Sequence, residues 1–224
     1  MRRLVDAWYK NKRWIQCLRP LSWLFGLVSA VRRKLYRNTA RAYTSKYPVI
    51  VIGNITAGGT GKTPLVIYLA EKLVEKGFRP GIVSRGYGSK AGAYPFTVTP
   101  DTSFLEAGEE ALMIARHTGC PVIVDPDRVA AVQKLESEFD INVIISDDGM
   151  QHYPLNRTME IAVVDGQRGF GNGYLLPAGP LREKPARLTS VDLVAALSVA
   201  RASDDRAYAR RAGTARPGDV RRRR

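Results

Sequence analysis

Residues 48–76 read PVIVIGNITAGGTGKTPLVIYLAEKLVEK, and the fold class follows from them. The segment Pro48–Gly53 is short, apolar and rich in β-branched residues, as in a strand buried inside a parallel sheet. Pro64–Lys76 then places leucine and valine at helical spacing, and Gly77 is a suitable helix stop. A strand, a glycine-rich loop and a helix in this order predict a phosphate-binding α/β domain.

The loop between this strand and this helix resembles the Walker A pattern, G-x-x-x-x-G-K-[ST], except that Thr56 replaces the first glycine. Its glycines let the main chain curl so that N–H groups face a phosphate, and the following helix adds its positive N-terminal end. Lys62 is expected to reach the β- and γ-phosphates of ATP, and the Thr63 hydroxyl is expected to bind Mg²⁺. The predicted nucleotide-binding residues are Thr56, Ala57, Gly58, Gly59, Thr60, Gly61, Lys62 and Thr63.

The rest of the nucleotide site is predicted where the apolar strand Val143–Asp147 ends in two carboxylates. Asp147 and Asp148 are expected to hold Mg²⁺ directly or through water, and Asp148 is assigned to catalysis together with Lys62. The alternative for these two residues is an Asx turn that ends the strand.

Apolar runs alternate with helix-length segments along the remaining chain. This alternation predicts an α/β fold of the P-loop type, with a mostly parallel sheet and helices on both faces. The further strands are predicted at Gly81–Ser84, Pro121–Asp125 and Ile161–Asp165, and the further helices at Glu109–Thr118 and Asp127–Phe139.

The net charge of +14 divides the 224 residues into three predicted parts. Residues 1–46 carry +11, residues 47–198 carry −3, and residues 199–224 carry +6. Because the central part is slightly acidic, no nucleic-acid partner is expected. We predict a basic amphipathic helical segment over 1–46, the P-loop domain over 47–198, and a disordered Arg- and Ala-rich tail over 199–224.

The N-terminal segment contains the apolar run Leu18–Val31, LRPLSWLFGLVSAV. This run is too short to cross a bilayer as one helix, which needs about 20 apolar residues. Aromatic side chains such as Trp23 and Phe25 are interleaved with basic ones, which suits a helix lying on an anionic membrane surface. The alternative is a helix that packs on the core and leaves its basic face in solvent.

Seven strings of the sequence together resemble the tetraacyldisaccharide 4'-kinase family, the lipid A 4'-kinases of Gram-negative bacteria. They span about Pro48 to Asp192 in the family's order, and Thr at the first Walker position is usual in this family. The strings are GNITAGGTGKTP (53–64), SRGYG (84–88), DRV (127–129), DDGMQHY (147–153), VDG (164–166), RGFGNG (168–173) and LPAGPLRE (176–183).

This resemblance implies a kinase that moves the γ-phosphate of ATP, with Mg²⁺, to the 4'-hydroxyl of a tetraacylated glucosamine disaccharide 1-phosphate. It would act as a peripheral protein on the cytoplasmic face of the bacterial inner membrane, with the lipid disaccharide and the membrane surface as its partners. Because this substrate is an anion, positioned arginines are expected to bind it. The substrate-binding residues implied by the matching strings are Arg85, Arg128, His152 and Arg182.

One expected catalytic residue departs from the family pattern. The family usually has Gly-Asp-Glu-Pro or Gly-Asp-Glu-Ala ahead of Asp127, and its Asp is thought to activate the sugar hydroxyl. Here the string is Gly-Glu-Glu-Ala over 108–111, so Glu109 is expected in that role on a stem one methylene longer. A misplacement of about 1 Å can cost roughly 100-fold in rate.

Beyond Val194 the sequence is expected to leave the family pattern, because an Arg- and Ala-rich tail stands where the family continues into a smaller C-terminal domain. The expectation is therefore a truncated or frameshifted chain. Two other functions remain open. One is a membrane-associated regulatory or partitioning ATPase, although that class normally has Lys where this chain has Ala57. The other is a nucleotide-binding chain without catalysis.

Overall fold

The computed structural model describes residues 2–10, 12–36 and 42–197, and the predicted tail over 199–224 lies outside them. The strands are β1 (Val49–Gly53), β2 (Pro80–Ser84), β3 (Phe96–Val98), β4 (Val122–Val124), β5 (Val143–Asp147), β6 (Met159–Asp165) and β7 (Leu193–Leu197). The helices are α1 (Arg2–Tyr9), α2 (Arg19–Tyr36), α3 (Lys62–Glu75), α4 (Phe104–Ala107), α5 (Glu109–Thr118) and α6 (Arg128–Glu138), with 3-10 helices at Arg13–Leu18 and Pro185–Ser190.

In the described part of the chain, the strands form a seven-stranded sheet in the order β3-β4-β2-β5-β1-β6-β7. β1 pairs with β5, and β2 pairs with both β4 and β5, all in parallel. Every residue of β2 and β5 is buried, as expected of strands covered on both faces. The predicted mostly parallel sheet with accompanying helices is therefore confirmed, and β3, which runs antiparallel to β4, is an addition to it.

The predicted elements agree with the structure to within two residues at each end. β5 and α5 have the predicted bounds. α3 begins at Lys62, two residues earlier than predicted, so that Lys62 and Thr63 belong to its first turn. The end of the phosphate loop is therefore also the helix N-terminus, where main-chain N–H groups lack partners within the helix.

The chain divides into two compact units. The sheet unit consists of Thr39–Gly53 and Lys62–Ile161, and the loop unit consists of Met1–Asn38, Asn54–Gly61 and Ala162–Arg224. The candidate phosphate loop passes from one unit to the other at the bond between Gly61 and Lys62. Three separate stretches of sequence thus build the loop unit. This division differs from the three consecutive parts, 1–46, 47–198 and 199–224, into which the sequence was divided.

In the sheet unit, helices cover a core of Ile, Val and Leu side chains. α3 packs against α5 and against β1, β2 and β5, while α6 packs on β2 and β4. Three hydrogen bonds to one carboxylate connect the segment before β1 to α6. The Glu136 carboxylate accepts hydrogen bonds from Tyr43 Oη and Ser45 Oγ, each at 2.6 Å, and from the Lys46 main-chain N at 2.8 Å. Burial raises the pKa of Glu136, but these three donors outweigh burial and hold that pKa below its usual value.

In the loop unit, α2 has a polar side that contacts protein. Ser22 Oγ donates to the Leu175 carbonyl at 2.8 Å. The Arg19 guanidinium lies 4.9 Å from the centre of the Tyr174 ring, and Arg33 donates to Ser190 Oγ at 3.1 Å. Residues 19, 22 and 33 lie close to one line along the helix, since 3.6 residues make a turn. The polar side of α2 therefore follows the loop unit over most of the length of the helix.

Most of the large apolar residues of α2 are exposed, and Phe25 is partly buried. We call the exposed residues the apolar stripe of α2; they are Leu21, Trp23, Leu24, Leu27, Val28, Val31 and Leu35, each at least half exposed. The helical segment Arg13–Tyr36 is 24 residues long and, by length and composition alone, apolar enough to cross a membrane. This corrects the prediction from Leu18–Val31, because the helix extends beyond that run at both ends.

Candidate nucleotide-binding site

The first contact of the site joins the first turn of α3 to the residue after β5. Lys62 Nζ lies 3.2 Å from Asp148 Oδ1, and these two side chains are only 11% and 21% exposed. Asp148 has a φ of 47°, in the left-handed region that few residues other than glycine adopt. Asp and Asn tolerate this conformation best, and it turns the chain sharply at the end of β5. The predicted catalytic pair Lys62 and Asp148 is therefore brought together.

Asp147 is the buried member of the site. Its side chain is 1% exposed, and Ser84 Oγ donates to its Oδ2 at 3.4 Å. Its Oδ1 has no hydrogen-bond partner among the described residues. Burial, with Glu110 and Asp148 nearby, raises the pKa of Asp147 to about 7, although Lys62 and Arg128 act against this rise. A buried carboxylate oxygen without a partner is suited to a cation.

A second cationic group lies beside these carboxylates. Arg128, at the start of α6, is 3% exposed, and its guanidinium donates to the main-chain oxygens of Pro126 at 3.2 Å and Asp148 at 3.4 Å. Burial lowers the pKa of Arg128; Asp148 opposes this effect and Arg85 adds to it. Arg85 directly follows β2 and is exposed. Two guanidinium groups close enough to repel each other favour an anion between them.

His152 and Glu109 complete the predicted residues of the sheet unit. His152 Nε2 lies 3.6 Å from Asp127 Oδ1, and Asp127 caps α6 by accepting from the Val129 N–H at 2.9 Å. Glu109 is exposed at the first residue of α5. It is the next residue, Glu110, whose charge acts on Asp147. The resemblance singled out Glu109 by its place in the string GEEA, whereas the structure shows that the charge of Glu110 acts on Asp147.

In the loop unit, the start of the phosphate loop is tied to the protein by its main chain. The Ala57 N–H donates to the Pro180 carbonyl at 2.7 Å, so this N–H is not directed at a phosphate. The Arg182 N–H likewise donates to the Ile55 carbonyl at 2.7 Å, which places Arg182 beside the loop. Gly58 and Gly61 have φ of 112° and 77°, so these turns require glycine.

A side-chain contact also spans the loop. Asn54 Nδ2 donates to Thr60 Oγ1 at 2.9 Å, and Asn54, Thr56 and Thr60 are all buried. The hydroxyls of Thr56 and Thr60 thus serve the shape of the loop. From the sequence these threonines were assigned to the nucleotide and Asn54 was assigned no role, although a polar amide directly after the apolar strand was a usable signal.

The sequence profile of the tetraacyldisaccharide-1-P 4'-kinase (LpxK) family matches residues 14–220. This match continues past Val194, where the sequence was expected to leave the family pattern, and that expectation was wrong. The tail of the match lies outside the described residues.

Among solved structures, the chain is similar to LpxK from Aquifex aeolicus, a structure in complex with ATP. The identity is 32% and the TM-score 0.72; the match covers 80% of this chain and 57% of that one. The chain thus spans little more than half the length of this relative. FtsY from Elizabethkingia anophelis (17% identity, 63% of this chain, 49% of that chain, TM-score 0.38) and chloroplast FtsY from Physcomitrella patens (19%, 61%, 50%, 0.35) are too dissimilar to support an inference.

The profile covers most of the chain, and the Aquifex structure shares its fold, as predicted from the P-loop and the strand pattern. On these grounds the chain belongs to the tetraacyldisaccharide-1-P 4'-kinase family.

Proposed function

We propose that this chain is an ATP-dependent kinase that phosphorylates the 4'-hydroxyl of a tetraacylated glucosamine disaccharide 1-phosphate in lipid A biosynthesis. The observation that carries the proposal is the 3.2 Å pair between Lys62 and Asp148, with the buried Asp147 next to it. In P-loop enzymes, a lysine at this point of the loop contacts the terminal phosphates, and an aspartate after a neighbouring strand holds the metal ion.

Mg²⁺ fits the carboxylates at the end of β5. Asp147 Oδ1 is buried and lacks a hydrogen-bond partner in the described part of the chain, so it can serve as a ligand. Asp148 and the Thr63 hydroxyl would join it, and phosphate oxygens and water would fill the remaining positions, as is usual for this ion. When bound, Mg²⁺ neutralises charge that develops on the transferred phosphoryl group.

The acceptor side of the site would be formed by basic groups. Arg85 and Arg128 would hold an anionic part of the lipid disaccharide, with His152 as a further contact. For Arg182, in the loop unit, we propose substrate binding on the family resemblance alone. In the transfer step, the sugar hydroxyl oxygen attacks the γ-phosphorus of ATP, and the bond from that phosphorus to the β–γ bridging oxygen breaks. ADP leaves, and the hydroxyl proton passes to a carboxylate, for which we propose Glu109.

We also propose that the apolar stripe of α2 lies in the surface of the cytoplasmic leaflet of the inner membrane. The polar side of α2 contacts the loop unit from Arg19 to Arg33, which is about 21 Å of helix. A helix held along its side in this way favours lying on a bilayer over crossing it. Exposed basic residues such as Arg32 and Lys34 next to the stripe suit anionic lipid headgroups.

The kinase proposal is tested with the full chain, radiolabelled ATP, Mg²⁺ and the tetraacylated disaccharide 1-phosphate in mixed micelles. We expect labelled lipid in the wild-type protein and none after Lys62→Met. ATP binding without labelled lipid would support the alternative of a nucleotide-binding chain without catalysis. Hydrolysis of ATP that the lipid does not stimulate would instead indicate the regulatory ATPase.

The membrane proposal is tested by sedimentation with vesicles that contain an anionic lipid. Leu27→Ser removes one member of the apolar stripe and should weaken binding. Leu105→Ser is the matched control, because Leu105 is equally exposed, at 58% against 62% for Leu27, but lies in the sheet unit. Equal losses in the two variants, or no loss in either, would contradict a docking role of the stripe.

A further inference from the structure

The start of the phosphate loop packs against the N-terminal helices. Ala7, Trp8 and Ile15 form a buried cluster in the loop unit, and Ala57 and Leu176 pack against it. Trp8 is only 5% exposed, although Trp14, six residues later, is 50% exposed. Residues before the apolar stripe thus contact the start of the phosphate loop.

A second connection runs through main-chain atoms. Trp8 Nε1 donates to the Pro177 carbonyl at 2.9 Å. Three residues on, the Pro180 carbonyl accepts from the Ala57 N–H at 2.7 Å. The segment between these two contacts is internally fixed, because Asn172 Nδ2 donates to the Ala178 carbonyl at 2.8 Å. The strings RGFGNG and LPAGPLRE therefore join the N-terminal helices to the phosphate loop.

The tip of the loop is open to solvent on its outer side, and on its inner side Asn54 Nδ2 donates to the Gly58 carbonyl at 3.5 Å. Gly58 and Gly59 are exposed, and a Cβ atom built on either would meet no atom within 4 Å. The path of the main chain through the tip therefore depends on the Asn54 amide and on the two ends of the loop. One end is the first turn of α3. The other end is Ala57, which packs against the buried cluster that contains Trp8 and donates its N–H to the Pro180 carbonyl.

From these contacts we infer that Trp8 is a positioning residue for the phosphate loop. It acts on Ala57 as a member of the buried cluster against which Ala57 packs, and by way of Pro177 and the segment that follows it. The inference rests on the proposed function, since it requires that the loop bind ATP. A loop displaced by about 1 Å can lose roughly 100-fold in function, so partial loss of this support should be measurable.

The test is the ATP dissociation constant of the full-length protein, measured by calorimetry with Mg²⁺. We expect Trp8→Ala to weaken ATP binding by about 10-fold, because it removes both the packing and the hydrogen bond. Trp8→Phe keeps an aromatic ring and removes the Nε1 donor, and should weaken binding by about 3-fold, as for one hydrogen bond. Trp14→Ala is the matched control and should bind ATP as the wild type does.

A double-mutant cycle with Ala57→Gly separates positioning from general stability. Variants that act through one contact are coupled, so the double variant with Trp8→Ala should weaken ATP binding by less than the product of the two single effects. Circular dichroism shows whether each variant is folded. If Trp8→Ala is not folded, the ATP affinity of Trp8→Phe tests the inference instead. Vesicle binding by Trp8→Phe should stay at the wild-type level, because the apolar stripe is intact.

Wild-type affinity in both Trp8 variants, or a loss of the same size in Trp14→Ala, would overturn the inference while leaving ATP binding itself in place. The inference would also be overturned if the loss of ATP affinity in the double variant equalled the product of the losses in Trp8→Ala and Ala57→Gly, because the two effects would then be independent. Failure of the wild-type protein to bind ATP would overturn the proposed function and this inference together.

Discussion

Replacement of Lys62 by Met removes one ammonium group and keeps an unbranched side chain of similar length. In the structure this group lies 3.2 Å from Asp148 Oδ1 at the N-terminus of α3, and its side chain is largely buried. Two unit charges at this distance attract each other by about 5 kcal/mol at an effective dielectric constant of about 20. A phosphate oxygen that takes the place of the carboxylate would gain an energy of the same order before desolvation is subtracted.

Desolvation and the lost contact with Asp148 consume part of that energy. A charge-assisted hydrogen bond is worth about 2–3 kcal/mol net, which corresponds to roughly 30- to 150-fold in affinity. We therefore expect Lys62→Met to raise the ATP dissociation constant by this factor in a calorimetric titration with Mg²⁺. The same variant should lose lipid phosphorylation to a greater extent, because charge builds up on the phosphoryl group in the transition state.

Lys72→Met is the matched control on the same helix. Lys72 also forms an ion pair, with Glu75 at 2.6 Å, but both side chains are exposed to solvent. Its ATP dissociation constant should stay within about twofold of the wild-type value, since exposed pairs contribute little. An ATP dissociation constant unchanged in Lys62→Met, or shifted equally in both variants, would refute the reasoning that places a phosphate at the start of α3.

Three further predictions address other groups. Asp147→Asn keeps the size of the side chain and removes its charge. It should lower Mg²⁺-dependent phosphorylation by about 100-fold or more, while ATP binding in EDTA persists. Activity equal to that of the wild type would exclude Asp147 as a metal ligand. Glu110→Gln should weaken the binding of Mg-ATP more than Glu109→Gln does. Glu109→Gln should lower the rate of phosphoryl transfer more than Glu110→Gln does. The opposite result in both assays would exchange the roles of the two glutamates. Glu136→Gln should lower the free energy of unfolding in urea by about 1–2 kcal/mol at pH 7. The pKa of Glu136 is depressed in the folded state, so this stabilisation is present above its unfolded pKa and is lost as the pH falls through the folded value; a difference that stays constant down to pH 3 would contradict this account.

The parts of the fold that sequence alone predicted are those with a strong local signal. β1, β2 and β5 are apolar runs bounded by glycine or aspartate, and α5 starts after one glycine and ends before another. β3 has three residues and is held by its pairing with β4 and by packing against α5, both of which are contacts with later parts of the chain. A strand of that kind has no periodicity from which it could be recognised.

The candidate site divides in the same way. Lys62, Asp147 and Asp148 were predicted because motif and strand position both indicated them, and the structure groups them. Glu110 was not singled out because the family pattern directed attention to Glu109, and the direction in which α5 turns each glutamate is not visible in the string itself. The buried position of Trp8 was missed for another reason. Its hydrogen-bond acceptor Pro177 and the loop residue Ala57, which packs against its cluster, lie 169 and 49 residues away, and an aromatic residue in a basic segment suggested a membrane rather than a buried contact.

The construction of the loop unit from three distant stretches has a consequence for synthesis. Ser22 meets its partner Leu175, and Trp8 meets Pro177, only after more than 150 further residues have been made. At about 5–20 residues per second, the ribosome needs roughly 10–30 s for that length. After they leave the exit tunnel, and for most of this interval, the N-terminal helices are without the carbonyls that they later contact. Chaperones, targeting factors and lipid headgroups therefore have access to the apolar stripe before the phosphate loop acquires its support.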